Sequence, residues 1–483
     1  MQAKSALTSF LLLIGVLLTG GSPLYGQQAG QVFRAGAATS NITPRIGTSI
    51  NGNMQDVITT GIHDETHARA LVLDDGTIQL AIVVSDLCMV PREILDAAKQ
   101  RAQSVTRIPA ERMMMSATHT HSAGTACSVF QSDPDADYTK FLTERIADAV
   151  IRANNNLAPA RIGWGVGHEP SQVFNRRWRM KPGTAMPNPF GTEDKVRMNP
   201  GVGNPDLLEP AGPIDPEIPV ISVQTPEGRP LALLANYSLH YVGGTAKGEI
   251  SADYYGMFAE RMKQLLCTIE DGPAFVAMMS NGTSGNINNI DFGGEKPRPT
   301  QPYEKMRAVA NVVAAEAYKV YQTIEYRDWI SLDARQTEIS LGVRKPDAKE
   351  LKRATDIVAS AKGPNMVSRE EIYARETTLI KNYPDQVPII LQAFRLGDLA
   401  ITAIPCEVFV EIGLELKEKS PFKPTFTISL ANGYNGYLPT PEHHRLGGYE
   451  TWRARSSYLE VDASPKITKT LYDLLSKLKA THP

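Results

Sequence analysis

The stretch Ser116-Ala117-Thr118-His119-Thr120-His121-Ser122-Ala123-Gly124 decides how the rest of the chain is read. The residues before it, Arg112-Met113-Met114-Met115, have the character of a buried strand. Along a strand, side chains at i and i+2 share a face, so His119 and His121 are expected to point the same way, at a strand end and ahead of a flexible Ser-Ala-Gly loop. Two imidazoles aimed at one point are the first half of a divalent-metal site. Two polar residues on a solvated strand face would look identical, and His-x-His is short enough to recur by chance. Further ligands elsewhere must decide.

Composition sets the frame. With 483 residues, 42% hydrophobic and 21% charged, the chain can bury a large core. Its net charge of −2, with both signs interspersed, speaks against a nucleic-acid surface or a polybasic membrane anchor. Residues 1–27 read as a secretory signal peptide: Lys4, an apolar run over 10–18, and Gly26 just before Gln27-Gln28. That run is too short to cross a bilayer, and no later stretch reaches the length of a membrane helix. Residues 28–483 are then expected to form one secreted or periplasmic domain, with no transmembrane segment and, lacking a cysteine near the cleavage region, no lipid anchor. Cys88, Cys127, Cys267 and Cys406 are too few for a disulfide scaffold, although a bridge among them is compatible with export. Cys88 and Cys406 sit in apolar runs and read as buried small hydrophobes.

Residues 33–42 and the Thr43-Pro44 turn are expected to lead into a loop-rich entry at Asn51-Gly52-Asn53, followed by strands over 69–73 and 79–85, a turn at Asp74-Asp75-Gly76 and a helix over 92–104. Asp86, at a strand tip, reads as the cap of that helix or as a partner to a metal-bound histidine. His63 and His67 lie between a glycine and a strand, so they are expected to line a pocket rather than bind metal as a helical pair. A helix over 138–154 and a strand over 160–168 lead to Phe174-Asn175-Arg176-Arg177-Trp178, whose guanidinium groups are either solvated or placed to grip a carbonyl or carboxylate. Residues 181–219 are rich in proline and glycine without apolar period, and are expected to form a loop covering a binding site.

A strand over 231–239 delivers His240, the third candidate ligand, and Ser251-Ala252-Asp253 is expected to cap a helix ending at Leu266. The strand over 274–279 opens into an amide-rich loop over 280–289, of the kind that brings backbone N–H groups to a ligand. Helices over 303–323, 347–362 and 368–382 and a strand over 329–341 read as structural. The strand over 399–404 ends at Pro405-Cys406-Glu407, and a tyrosine-rich region over 431–450 precedes a closing helix over 465–478. No internal repeat is visible. Polar, ligand-type residues at five strand ends suggest an α/β enzyme, a mixed α+β arrangement with a β-sheet core flanked by helices.

Taken together, Gly61-Ile62-His63, Thr118-His119-Thr120-His121-Ser122, Asn175-Arg176, Leu239-His240, Pro405-Cys406-Glu407 and the paired tyrosines resemble the catalytic domain of the neutral, non-lysosomal ceramidases, zinc amidases that cleave the N-acyl bond of ceramide. The resemblance spans about residues 35–457 and omits the family's C-terminal β-sandwich. It implies Zn2+ bound by His119, His240, Glu407 and Tyr437, an oxyanion steadied by Tyr449, His121 behind the metal, and Arg176 facing substrate. Asn288 stands where the family has a serine in its Gly-Asp-x-Ser-Pro run, and an amide cannot attack a carbonyl. The implied activity is an exported zinc hydrolase of an amide, less readily an ester, in which metal-activated water attacks, His121 or a carboxylate takes the proton, and Tyr449 donates to the oxyanion. The substrate would be a small or acylated molecule. A hydrolase of lactones, glycosides or phosphoesters, or a binding protein that lost catalysis, are the alternatives.

Overall fold

Strand His67–Asp74 alternates between two apolar layers: Ala68, Ala70 and Val72 face one, Leu71 and Leu73 the other, and all are buried. Gln79–Ser85 repeats the pattern, which is why both read as nearly unbroken apolar runs. The two pair antiparallel across a turn in which the Asp74 and Asp75 carboxylates accept the N–H groups of Gly76, Thr77 and Ile78. The chain then crosses through helix Arg92–Thr106 to Met113–Ala117, which lies parallel to Gln79–Ser85.

The computed structural model describes residues 31–267, 274–294 and 301–481, so the expected signal peptide lies outside them. Within these residues the same unit, a hairpin followed by a helical crossover to a parallel strand, occurs in three sheets. In the second, Glu217–Gln224 and Pro230–Tyr237 form the hairpin and helix Asp253–Leu266 leads to Val276–Asn281. In the third, Gln386–Leu396 and Leu399–Ile404 are followed by helix Val410–Lys419 and strand Thr425–Ser429. The repetition is one of architecture and leaves no repeat in the sequence.

The three sheets turn one face each to a shared core that includes Leu71, Ile82, Ile221, Met278, Phe394 and Ile428. Their outer faces are covered by helix pairs: Arg92–Thr106 with Ala136–Asn155, Asp253–Leu266 with Glu304–Tyr321, and Val410–Lys419 with Ala463–Ala480. Each fully buried Leu, Ile or Phe in such layers contributes roughly 1.5–3 kcal/mol. The fold is therefore mixed α/β, with sheets inside and helices outside. Because each unit ends in a parallel pair, the carboxyl ends of those pairs are natural places for ligand-type residues.

Several local expectations change. Asp86 neither caps the following helix, whose N-cap is Pro91, nor touches a candidate ligand; its carboxylate holds Arg69 Nη1 at 2.5 Å and the His67 N–H. Ala252 is the N-cap of Asp253–Leu266 and makes no side-chain cap bond. Asp253 instead reaches back to the N–H groups of Val242 and Gly243, fixing the turn after His240. Residues 181–219 are not wholly irregular: Arg197–Met198 and Leu207–Pro210 pair with Arg177–Met180, and strand Glu217–Gln224 has begun by 217. All four cysteines are unpaired, with Cys88 and Cys406 buried.

Candidate metal centre

Strand Met113–Ala117 ends before the histidines, so strand alternation is not what brings them together. Thr118 and His119 donate their N–H groups to Ser85 O and Leu87 O, and His119 adopts a left-handed backbone, φ 77°. For a residue with a Cβ this conformation costs on the order of 1–2 kcal/mol, which the surrounding structure must supply. Its result is that Nδ1 of His119 meets Cys88 O at 2.8 Å while Nε2 points into the molecule. His240, at the end of the second sheet, is held the same way, with Nδ1 3.1 Å from Ser284 O.

Carbonyl acceptors assign the proton to Nδ1 in both rings, leaving a lone pair on each Nε2. These nitrogens are 3.1 Å apart. Two lone pairs at that distance repel unless a positive charge, a proton or a metal ion, stands with them; burial would lower the His119 pKa, yet Glu407 holds it well above its ordinary value. Glu407, at the carboxyl end of Leu399–Ile404, brings Oε2 to 3.1 Å from His119 Nε2 and 4.0 Å from His240 Nε2. That oxygen is buried and accepts no hydrogen bond from any described residue, whereas Oε1 accepts from the Tyr434 hydroxyl at 3.0 Å. The ligand atoms of His119, His240 and Glu407 all lie within 4.8 Å of one another. His119 and Glu407 border a hollow of about 20 Å³, room for roughly one water-sized particle, which His121, Tyr434, Tyr437 and Tyr449 also line. Lone pairs and an unsatisfied carboxylate oxygen converging on one small hollow fit a divalent cation.

Cys88, His119 and His121 form a second trio at similar spacing. Two facts favour the first. Burial pushes the Cys88 thiol up, away from the thiolate a metal needs, and His119 Nδ1 is already engaged by the Cys88 carbonyl.

Tyr437 belongs to the short strand that pairs with Glu407–Val408, and its hydroxyl accepts from Arg176 Nη2 at 3.1 Å. Burial, reinforced by Glu407 and opposed by Arg176, moves the phenol well above its ordinary pKa, so without a cation it keeps its proton. Arg176 is neither solvated nor exposed to the hollow. Its Nε binds Glu450 Oε1 at 2.8 Å, its Nη2 binds Gly285 O, and Arg177 Nη1 takes the other Glu450 oxygen at 2.5 Å. Burial would raise the Glu450 carboxyl, yet the two guanidinium groups hold it below its usual value. The geometry makes Arg176 a brace behind Tyr437.

His121 places Nε2 3.3 Å from His119 Nε2 and stacks on Tyr241 at 3.6 Å between ring centres. Its Nδ1 has no hydrogen-bond partner among the described residues. Gly52 makes room for this ring: a Cβ there would lie 2.5 Å from His121 Cγ, and φ is +102°. Tyr449 is 5.9 Å from Tyr437, ring to ring, and its hydroxyl makes no hydrogen bond among the described residues. His63 pairs with Asp64 and stacks on Tyr303, His67 approaches Glu65, and neither borders the hollow.

The amide-rich loop is not a ligand cradle either. Every residue from 280 to 289 is buried. Asn281 holds Thr118 O, Ser284 O accepts from His240, Gly285 N donates to Val408 O, and Asn286 accepts from Val410 N at the start of helix Val410–Lys419. Asn288 donates to Asn199 Oδ1 at 2.8 Å and accepts from Ile290 N. The loop joins the three ligand-bearing strand ends. The segment 181–219, in contrast, does stand beside the site: Met186, Pro187, Val196 and Met198 wall a cavity of about 310 Å³ that Trp452 and Tyr449 complete. Tyr449 borders both this cavity and the hollow.

The chain matches the model of the neutral/alkaline non-lysosomal ceramidase N-terminal domain over residues 33–293, more than half its length. It belongs to that family. Among solved structures it is similar to neutral ceramidase from Pseudomonas aeruginosa, with 19% identity, TM-score 0.71, and coverage of 94% of this chain and 75% of that one. It is likewise similar to a ceramidase complexed with C2, with 18% identity, TM-score 0.70, and coverage of 94% and 76%. At such identities the likeness concerns the fold. The sequence match contains His119, His121, Arg176, His240 and Asn288, while Glu407, Tyr437 and Tyr449 lie beyond it; Glu407 follows strand Leu399–Ile404 of the third sheet and pairs with Tyr437 in a separate two-stranded sheet. Among the described residues no helix is long and apolar enough to cross a membrane.

For this ceramidase-family chain, sequence reasoning missed Tyr434, Tyr241, Gly52 and Glu450 as parts of the site. Only Glu450 left a trace, as an acid next to a candidate tyrosine that would need the two adjacent arginines far away in sequence.

Proposed function

We propose that this member of the ceramidase family is an exported zinc hydrolase that cleaves the N-acyl bond of an amide. Family membership makes a lipid amide the first substrate class to consider. The observation that carries the reading is the convergence of His119 Nε2, His240 Nε2 and Glu407 Oε2, with both Nδ1 atoms tied to carbonyls and Oε2 unsatisfied. Two imidazoles and a carboxylate suit a borderline-soft dication such as zinc, and Tyr437, which lines the same hollow, is the fourth ligand in this reading. A dication there supplies a Lewis acid for the acyl carbonyl and lowers the pKa of a water toward neutrality. His121, whose Nε2 faces the centre 3.3 Å from His119 Nε2, accepts a proton from the attacking water and returns one to the departing nitrogen. Tyr449 donates its hydroxyl to the acyl oxygen as charge develops there. A C–O bond forms, the C–N bond breaks, and a carboxylate and an amine leave. Arg176 and Glu450 hold Tyr437, and Asn288 takes no covalent part.

The test is metal analysis of purified protein together with turnover of N-acyl amino acids, ceramides and acylated sugars. Near-stoichiometric zinc is expected, with activity lost to a chelator and restored by zinc. Protein that folds without a bound dication would favour the binding-protein reading. Export is checked by the N-terminus of the mature protein, expected near Gln28.

A further inference from the structure

The cavity beside the hollow has a mixed character that a plain hydrocarbon ligand does not need. Its body is apolar, with Met54, Met186, Val196, Met198 and Trp452, but Arg197 and Arg369 also border it. Neither arginine pairs with a carboxylate among the described residues. Arg197 donates one N–H to Ala185 O, and the Arg369 guanidinium lies 5.4 Å above the Trp452 ring. A guanidinium lying over an aromatic face still has its N–H donors available for an anion. Asp194, the one acid on the lining, is already engaged: Oδ1 accepts from Asn188 and Oδ2 from Trp452 Nε1 at 2.8 Å. The lining thus keeps two arginines without acidic partners against one committed carboxylate. At about 310 Å³ the cavity is at the small end of ligand pockets, which run from roughly 300 to 1,000 Å³.

We propose that Arg197 and Arg369 form a carboxylate subsite, and that the substrate is an N-acylated apolar amino acid whose side chain packs on the methionines and Trp452 while its free carboxylate binds the two guanidinium groups. This rests on the amide-hydrolase reading for the position of the scissile bond, next to Tyr449, which borders both spaces. The subsite favours the acid over the neutral amine half of a ceramide, which offers no anion to the two guanidinium groups, Arg197 half-buried and Arg369 exposed.

The experiment compares octanoyl-phenylalanine with its neutral methylamide by octanoate release, in the native chain and in R197Q, R369Q and the double variant. The native protein is expected to prefer the acid by at least about tenfold in kcat/KM. The acid-to-amide ratio should fall roughly 10- to 100-fold in the double variant, the scale of lost charge-assisted hydrogen bonds, and R369K should recover part of it. A native ratio near one, or a ratio unchanged in the variants, overturns the subsite. A second measurement separates this from the hydrolase reading: calorimetric binding of octylsulfonyl-phenylalanine, which has no scissile carbonyl. Weaker binding to the double variant by the same factor, with no amide turned over by the native protein, upholds the subsite and sinks the hydrolase reading. Amide turnover without charge discrimination does the reverse.

Discussion

Residues 280–289 and 181–219 lie mostly outside regular structure, are rich in glycine, asparagine or proline, and both read from sequence as ligand-facing. In the structure the first is buried throughout and spends its polar groups on the protein, while the second is largely exposed and walls the cavity. Composition marks where the backbone leaves regular structure; it does not say what satisfies the freed polar groups. In 280–289 the partners are three strand ends, so the loop is a hub for the candidate metal centre. In 181–219 they are solvent and the chain's own short strands.

If the hub and its ligands act as one unit, damage there should abolish chemistry, and damage to the wall should only weaken substrate binding. The strongest test is Glu407→Gln, which removes the charge that the two imidazole lone pairs face. Turnover should fall by on the order of 10³-fold or more, with zinc lost in metal analysis. Retained zinc and activity would show that the centre does not depend on this carboxylate. Next is Gly285→Ala. A Cβ there would lie 2.6 Å from Glu407 O, so the methyl must push the ligand strand away. Zinc affinity should drop roughly 10–100-fold, the usual scale for groups that orient ligands, and stability by about 1–3 kcal/mol. On the wall, Met198→Ala removes apolar contact and should raise KM by about tenfold with zinc content unchanged. Loss of zinc in that variant would erase the distinction between the two regions.

How much of this was legible follows the same division. Strands such as Gln79–Ser85 were readable because both faces are buried, giving continuous apolar runs. Gln386–Leu396 was not, since Pro388 argues against a strand. The proline is tolerated because pairing with Leu399–Ile404 starts only at Gln392, so at Pro388 the strand has a partner on one side alone. Helix Val410–Lys419 is weakened as a signal by Gly413, and the glycine is there because Thr283 of the hub approaches so closely that a Cβ would lie 2.3 Å from its hydroxyl oxygen. The ligand types were visible at strand ends, but the geometry that joins them was not. His119 meets His121 through a left-handed turn, and the Arg176–Glu450 pair spans most of the chain. Long-range pairing leaves no periodicity to read.

The smallest expected effect is the most informative about the boundary, because hub and wall touch at one hydrogen bond, Asn288 Nδ2 to Asn199 Oδ1. If Asn288 only positions the wall, Asn288→Ala should lower kcat/KM by about fivefold, the equivalent of one hydrogen bond of ~1 kcal/mol. Asn199→Ala should do the same, and the double variant should be little worse than either, since both remove one interaction. Additive losses would mean that Asn288 acts on something other than the wall. Asn288→Ser sharpens the point. Its hydroxyl can still accept from Ile290 N but is too short to replace the amide at Asn199, so the variant should behave like Asn288→Ala and gain nothing on the native substrate. A large gain on ceramide would instead show that the site is a ceramidase deprived of its serine. Capture of a covalent acyl-enzyme from the native protein would place a nucleophile where an amide now stands, and the division between a hub that holds metal and a wall that holds substrate would have to be redrawn.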